Sequence, residues 1–148
     1  MSGDIIHFGF VVEGKGEIDA VPLLVRRICN DILGMYAVRT TRPVEITKSR
    51  LVRAGELERA IRLAQRIALG PVLVILDADE DCPAILGPEL KSRSIAIIPP
   101  QNVSVVIPKC EFETWFIAAA QSLSGKRGLR RELLPPSDPK QSVERRNG

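Results

Sequence analysis

The stretch Val72-Leu-Val-Ile-Leu-Asp-Ala-Asp-Glu80 decides the fold of this 148-residue chain. It opens with five consecutive Val, Leu or Ile residues, a pattern typical of a strand buried on both faces of a parallel sheet. Asp77 and Asp79 follow, and they would point to the same side if the extended geometry continued beyond the strand. Two like charges aimed at one point repel each other, and a bound cation is the usual remedy. Because ligands of open α/β sheets bind beyond the carboxyl ends of the strands, the stretch predicts a site there.

Composition places the chain among ordinary globular proteins. Its length suggests one domain, and 45% hydrophobic and 26% charged residues allow a core. The net charge of +3 does not by itself indicate nucleic-acid binding. The three cysteines lack zinc-ligand spacing, the N-terminus lacks a signal peptide and no apolar run reaches membrane-spanning length. We therefore expect reduced thiols, a cytoplasmic location and no membrane partner.

Acidic residues also follow two other predicted strands. Residues 5–12 form an apolar run that ends in Glu13-Gly-Lys-Gly-Glu17, after which Asp19 is expected to cap a helix reaching Gly34. Residues 56–69 have helical periodicity and end at Gly-Pro before the central strand. Residues 103–107 form the last apolar run, and an amphipathic helix over residues 111–123 carries Glu111 and Glu113 in its first turn. An acid in a helix's first turn is also explained by the helix dipole alone.

Taken together, the three acidic clusters predict a metal site. In a parallel α/β sheet the carboxyl ends of the strands share one edge, so Glu13, Asp77, Asp79 and Glu113 are expected to converge there. Hard carboxylate oxygens suit Mg²⁺ or Mn²⁺. Two such ions can clamp the attacking and leaving oxygens of a phosphodiester displacement.

These motifs resemble those of a Toprim domain, the metal-binding fold of topoisomerases, primases and overcoming-lysogenization-defect nucleases. The resemblance rests on an apolar strand ending in Glu-Gly-x-x-Glu, here Val12 to Glu17, and another ending in Asp-x-Asp, here Leu76 to Asp79. The segment Cys110-Glu-Phe-Glu-Thr-Trp-Phe116, with Pro-Pro-Ser-Asp-Pro-Lys140, makes the chain similar to a bacterial Toprim-like family of unknown function. The similarity covers roughly residues 5–140. Members of that family run on past the Asp-Pro-Lys segment, so the resemblance also implies a shortened chain whose activity needs testing.

The resemblance implies a role for each matching residue. Glu13 takes the place of the Toprim glutamate, a metal ligand or general acid–base group, and Asp77 and Asp79 take the place of the Mg²⁺ ligands. Glu17 and Glu113 match further acids that complete the coordination or position water, and Glu111 matches less well. The implied fold is a Toprim-like, Rossmann-like three-layer α/β fold, with a largely parallel sheet of about four strands and helices on both faces. Nuclease relatives often work with an ATPase.

Two other function classes compete with a nuclease. Gly9 to Lys15 matches the spacing of a phosphate-binding loop, but Gly16 stands where Ser or Thr should hold Mg²⁺ and the intervening residues resemble a strand. Lys15 is then simply a loop cation that can meet a phosphate. The second alternative is a non-catalytic Toprim-like module that binds metal and a protein partner. A Ser-His-Asp triad is excluded because His7 is the only histidine.

Basic residues concentrate in two segments. Residues 36–53, which include Lys48, are favoured as a solvated edge strand and loop over a phosphate-binding face. Residues 124–148 form a Pro-containing tail with seven positive and three negative side chains, distinct from the domain at residues 1–123. Either the tail is solvated or it binds nucleic acid, in which case removing it should lower both affinity and salt dependence.

The sequence thus predicts metal-dependent phosphodiester cleavage of nucleic acid by Glu13, Asp77 and Asp79, with Glu17 and Glu113 assisting. It leaves open whether the substrate is DNA or RNA, single- or double-stranded, and whether the chain forms homo-oligomers.

Overall fold

A computed structural model describes residues 4–109 of the chain. The helix predicted at residues 111–123, with Glu111 and Glu113, and the basic tail lie outside the described residues. Within residues 4–109, no helix is both long and apolar enough to cross a membrane.

Strands and helices alternate along the chain, as the apolar runs predict. The strands are β1 (Ile6–Val12), β2 (Val38–Thr40), β3 (Val44–Glu45), β4 (Val72–Ile75) and β5 (Val103–Val106). The helices are α1 (Lys15–Arg27), α2 (Lys48–Leu51), α3 (Glu56–Ala68) and α4 (Pro83–Ile95), with a π-helical turn at Ile28–Ile32 and a 3₁₀ turn at Pro100–Asn102.

All strand pairs are parallel. The sheet order is β2-β1-β4-β5, and β3 also pairs with β1. Strand β2 pairs with the first half of β1 and β3 with its end, so the two form one edge interrupted near Pro43. The five short strands therefore occupy four positions across the sheet, which agrees with the predicted number. Because every strand runs the same way, the ends of β1, β4 and β5 lie along one edge.

Helices cover both faces of the sheet, giving the predicted three-layer α/β fold. On one face α2, α3 and α4 bury alternate residues of β1 and β4, including Val11 and Val74. On the other face α1 packs Val21 against Phe10 and Ile75. The central strands are thus buried on both sides, which is the reason their sequences are continuously apolar.

Helix α3 lies unusually close to β1. A Cβ atom on Gly9 would lie 2.7 Å from the carbonyl oxygen of Ala64 and 3.2 Å from Cβ of Ala68. Glycine at one position and alanines at the other two let the helix approach the strand, and this contact fixes where β1 and the residues after it lie.

Two local expectations were wrong. Helix α1 begins at Lys15 rather than after Asp19, with Gly14 as its N-cap, so the loop after β1 is only two residues long. The spacing of Glu58 and Arg62 predicts an i,i+4 pair within α3, but Arg93 of α4 instead donates to Glu58 at 2.8 and 3.0 Å.

Candidate metal centre

The end of β1 meets the segment that follows β4. Glu13 comes directly after β1, and its Oε2 accepts a hydrogen bond from the backbone N–H of Asp77 at 3.2 Å. Strand pairing explains this contact, because Val12 and Ile75 are direct neighbours in the register of β1 and β4. The end of β1 and the backbone of the segment after β4 are therefore brought together at Glu13 and Asp77.

The aspartate segment turns after Ala78, whose carbonyl oxygen accepts from the N–H of Asp81. Strand β4 ends at Ile75, and Ala78 is fully buried, with its N–H donating to the carbonyl of Pro108 beyond β5. Asp79 has a φ of 50°, in the left-handed region that Asp adopts more readily than most residues. The extended geometry does not reach Asp79, so the argument that period two sends both aspartates to one side does not apply.

Lys48 contacts this acidic segment through its ammonium group. It is the first residue of α2, and its Nζ lies 3.0 Å from Oδ2 of Asp79 and 3.1 Å from Oδ2 of Asp81. The same ammonium donates to the carbonyl oxygen of Ala78 at 2.7 Å. Burial disfavours its charge, but the hydrogen bonds and charges of Asp79 and Asp81 outweigh this effect and raise the pKa of Lys48.

The electrostatic environment of Glu13 shows how closely these groups share the edge. Burial raises the pKa of Glu13, and the negative charges of Asp79 and Glu17 raise it further. The N–H of Asp77 and the charge of Lys48 act in the opposite direction without cancelling the rise. Glu13 thus lies within electrostatic reach of both acidic motifs.

Glu17 and Lys15 lie in the first turn of α1. The Glu17 carboxylate folds back over the backbone of Gly14, where a Cβ atom would lie 3.2 Å from its Cδ. Glu17 thus lies close enough to Glu13 for its charge to raise the pKa of Glu13, and it stands at the end of α1 where the helix dipole favours an acidic residue. Lys15 is exposed at the first position of the helix.

Carboxylate and carbonyl oxygens are the donor types that a hard divalent cation such as Mg²⁺ prefers. The Glu13 carboxylate lies against the Asp77 backbone, and the Lys48 ammonium contacts the Asp79 carboxylate and the Ala78 carbonyl. Within residues 4–109, no three carboxylate, thiol or imidazole side chains are close enough to form a ready-made cage. Mg²⁺ does not require one, because it is usually bound by one or two carboxylates with waters and substrate phosphates. Glu113, the remaining predicted ligand, lies outside the described residues.

Comparisons with protein-family models, curated proteins and solved structures find no match to the chain. The Toprim resemblance therefore rests on the motifs alone. The phosphate-loop alternative meets a structural obstacle: Phe10, Val11 and Val12 are fully buried residues of β1, leaving only Glu13 and Gly14 between strand and helix. Such a connection is too short for a loop that wraps a phosphate.

Sequence reasoning missed Lys48 as a residue of this edge. The alternation of residues 44–48 predicts a strand that continues along the sheet edge, which leaves Lys48 in the solvated basic segment. The strand stops at Glu45, and α2 then carries Lys48 towards the aspartates. Thr47, a good helix N-cap residue before Lys48, was the available signal for a helix start.

Proposed function

We propose that the chain cleaves phosphodiester bonds of nucleic acid with the help of Mg²⁺ or Mn²⁺ held at the edge of Glu13, Asp77 and Asp79. The observation that carries the proposal is the 3.2 Å contact of the Glu13 carboxylate with the Asp77 backbone, which joins the acidic ends of β1 and β4. A divalent ion at such an edge supplies charge neutralisation for the attacking and leaving oxygens.

The chain's own residues have distinct parts in this proposal. Asp77 and Asp79 are the proposed metal ligands, since both follow β4 and carry hard oxygen donors. Glu13 is held in place by the Asp77 N–H, and burial together with the charge of Asp79 raises its pKa above the ordinary value. That property suits a group that exchanges a proton with water or with a departing oxygen. Glu17, Glu113 and the exposed Lys15 are proposed to complete the site, Lys15 by contacting a phosphate.

The test is a cleavage assay with the purified full chain. Supercoiled plasmid and single-stranded DNA are incubated in EDTA, Mg²⁺ or Mn²⁺, with wild type beside Asp77→Asn. Cutting is expected only with metal, and Asp77→Asn should lower it by at least about 100-fold, the scale seen when a group that stabilises transition-state charge is removed. Lys91→Met, a change in α4, controls for unrelated loss of a charge and should cut normally.

A second candidate is a non-catalytic Toprim-like module that binds metal and a protein partner, such as an ATPase. The ion pairs of Lys48 with Asp79 and Asp81 favour its lack of catalysis, because they engage carboxylates that a catalytic metal would use. Absence of cutting with every metal and substrate, in a chain that unfolds cooperatively, would contradict the nuclease proposal and favour this module.

A further inference from the structure

The Lys48 ammonium is surrounded by oxygen atoms, as a bound metal ion would be. Its three donors meet three oxygens: the Ala78 carbonyl at 2.7 Å, Asp79 at 3.0 Å and Asp81 at 3.1 Å. Only 27% of the Lys48 side chain is exposed, against 42% for Asp79 and 56% for Asp81. The Lys48 side chain is therefore less exposed than either of its two carboxylate partners.

The Asp79 carboxylate would therefore have to bind two cations, the Lys48 ammonium and the proposed divalent ion. Asp79 is a proposed metal ligand, and its Oδ2 is already paired with Lys48. A divalent ion bound to the same carboxylate would lie within a few ångströms of the ammonium, where two positive charges repel strongly. Both cations cannot keep their best contacts with Asp79 at once.

We propose that Lys48 is a tethered counter-cation that a divalent ion must displace from Asp79. Lys48 neutralises the acidic edge of the metal-free chain and thereby sets how tightly this edge binds metal. The inference rests on the proposed function and deepens it, because it assigns a regulator of metal binding to the same site.

Lys91 provides a matched control for this proposal. It is also partly buried, but it donates to the backbone carbonyls of Pro100 and Val103, and it has no carboxylate partner among residues 4–109. Lys48→Met and Lys91→Met change the net charge equally. Only the first removes an ammonium from the acidic edge.

The experiment is a calorimetric titration of the full chain with Mn²⁺, comparing wild type, Lys48→Met and Lys91→Met. Removing a neighbouring positive charge should tighten Mn²⁺ binding by about tenfold in Lys48→Met. Lys91→Met should remain within twofold of wild type. Binding by Lys48→Met with none by wild type would support the proposal even more strongly.

The contrary results separate the two proposals. Equal or weaker Mn²⁺ binding by Lys48→Met overturns the role of Lys48, while the metal site of the proposed function stands. Absence of Mn²⁺ binding by both wild type and Lys48→Met overturns the metal site and the role of Lys48 together.

A measurement on wild type covers the case in which Lys48→Met does not fold. Acylation of lysines by an activated ester, followed by mass spectrometry, reports how accessible each amine is. Saturating Mn²⁺ should increase the labelling rate of Lys48 several-fold and leave that of Lys91 unchanged. An unchanged Lys48 rate while Mn²⁺ is bound would overturn displacement.

Discussion

At the scale of single residues, the ionised form of Glu13 lowers the free energy of unfolding. Burial and the charge of Asp79 raise its pKa above the ordinary value of 4.5. The folded chain therefore binds the Glu13 proton more tightly than the unfolded chain does. Protonated Glu13 therefore adds to the free energy of unfolding. This contribution is fully present below pH 4.5 and is lost as the pH rises through the raised pKa of Glu13.

Glu13→Gln should consequently be more stable than wild type at pH 7.5. The amide oxygen can still accept from the Asp77 N–H but carries no charge, so a gain of roughly 0.5–1 kcal/mol in the free energy of unfolding is expected. Urea denaturation at pH 7.5 and pH 4 measures the difference, which should vanish at the lower pH. Glu45→Gln, a change at an exposed residue, should have little effect. A Glu13→Gln variant less stable than wild type at pH 7.5 would contradict this account.

At the scale of elements, the contact of α3 with β1 is the feature that places Glu13. The approach depends on Gly9, where a Cβ would lie 2.7 Å from the Ala64 carbonyl oxygen. Gly9→Ala should therefore lower the free energy of unfolding by about 1–3 kcal/mol, as overpacking of a core does.

The matched control is Gly16→Ala in α1, where a Cβ would meet nothing within 4 Å. There the better helix propensity of alanine should raise stability by about 0.5–1 kcal/mol. Chemical denaturation of both variants gives the comparison. If Gly9→Ala and Gly16→Ala changed stability equally, the close approach of α3 would not matter to the fold.

The elements also show which features a sequence can predict. The apolar runs predicted β1, β4 and β5, because a strand buried on both faces must be apolar throughout. The periodicity of α3 predicted its length to within one residue. The start of α1 was missed, because Gly14 is an N-cap without a side chain to reveal it. Strand β3 was predicted too long, because alternation cannot show where backbone pairing stops.

The candidate site was predictable only in part, for a similar reason. Strand order in a parallel sheet brings Glu13 to Asp77, so residues 64 apart in sequence could be paired from the pattern alone. The left-handed turn at Asp79 and the approach of Lys48 depend on how α2 leaves the sheet edge. Short irregular segments leave no periodicity from which such an approach can be inferred.

At the scale of the whole molecule, we propose that one edge of the sheet binds a divalent ion. The strands are parallel, so Gly70 and Asn102, which precede β4 and β5, mark the opposite edge. A paramagnetic ion bound at the acidic edge should distinguish the two edges within one folded chain.

The most direct measurement is the loss of backbone amide NMR signals on adding substoichiometric Mn²⁺. Broadening is expected first at Glu13, Asp77 and Asp79, with Gly70 and Asn102 retaining intensity, and it should be weaker in Asp77→Asn. Uniform broadening, broadening centred on the Gly70 edge, or no change at stoichiometric Mn²⁺ would contradict the claim that this edge is a metal site.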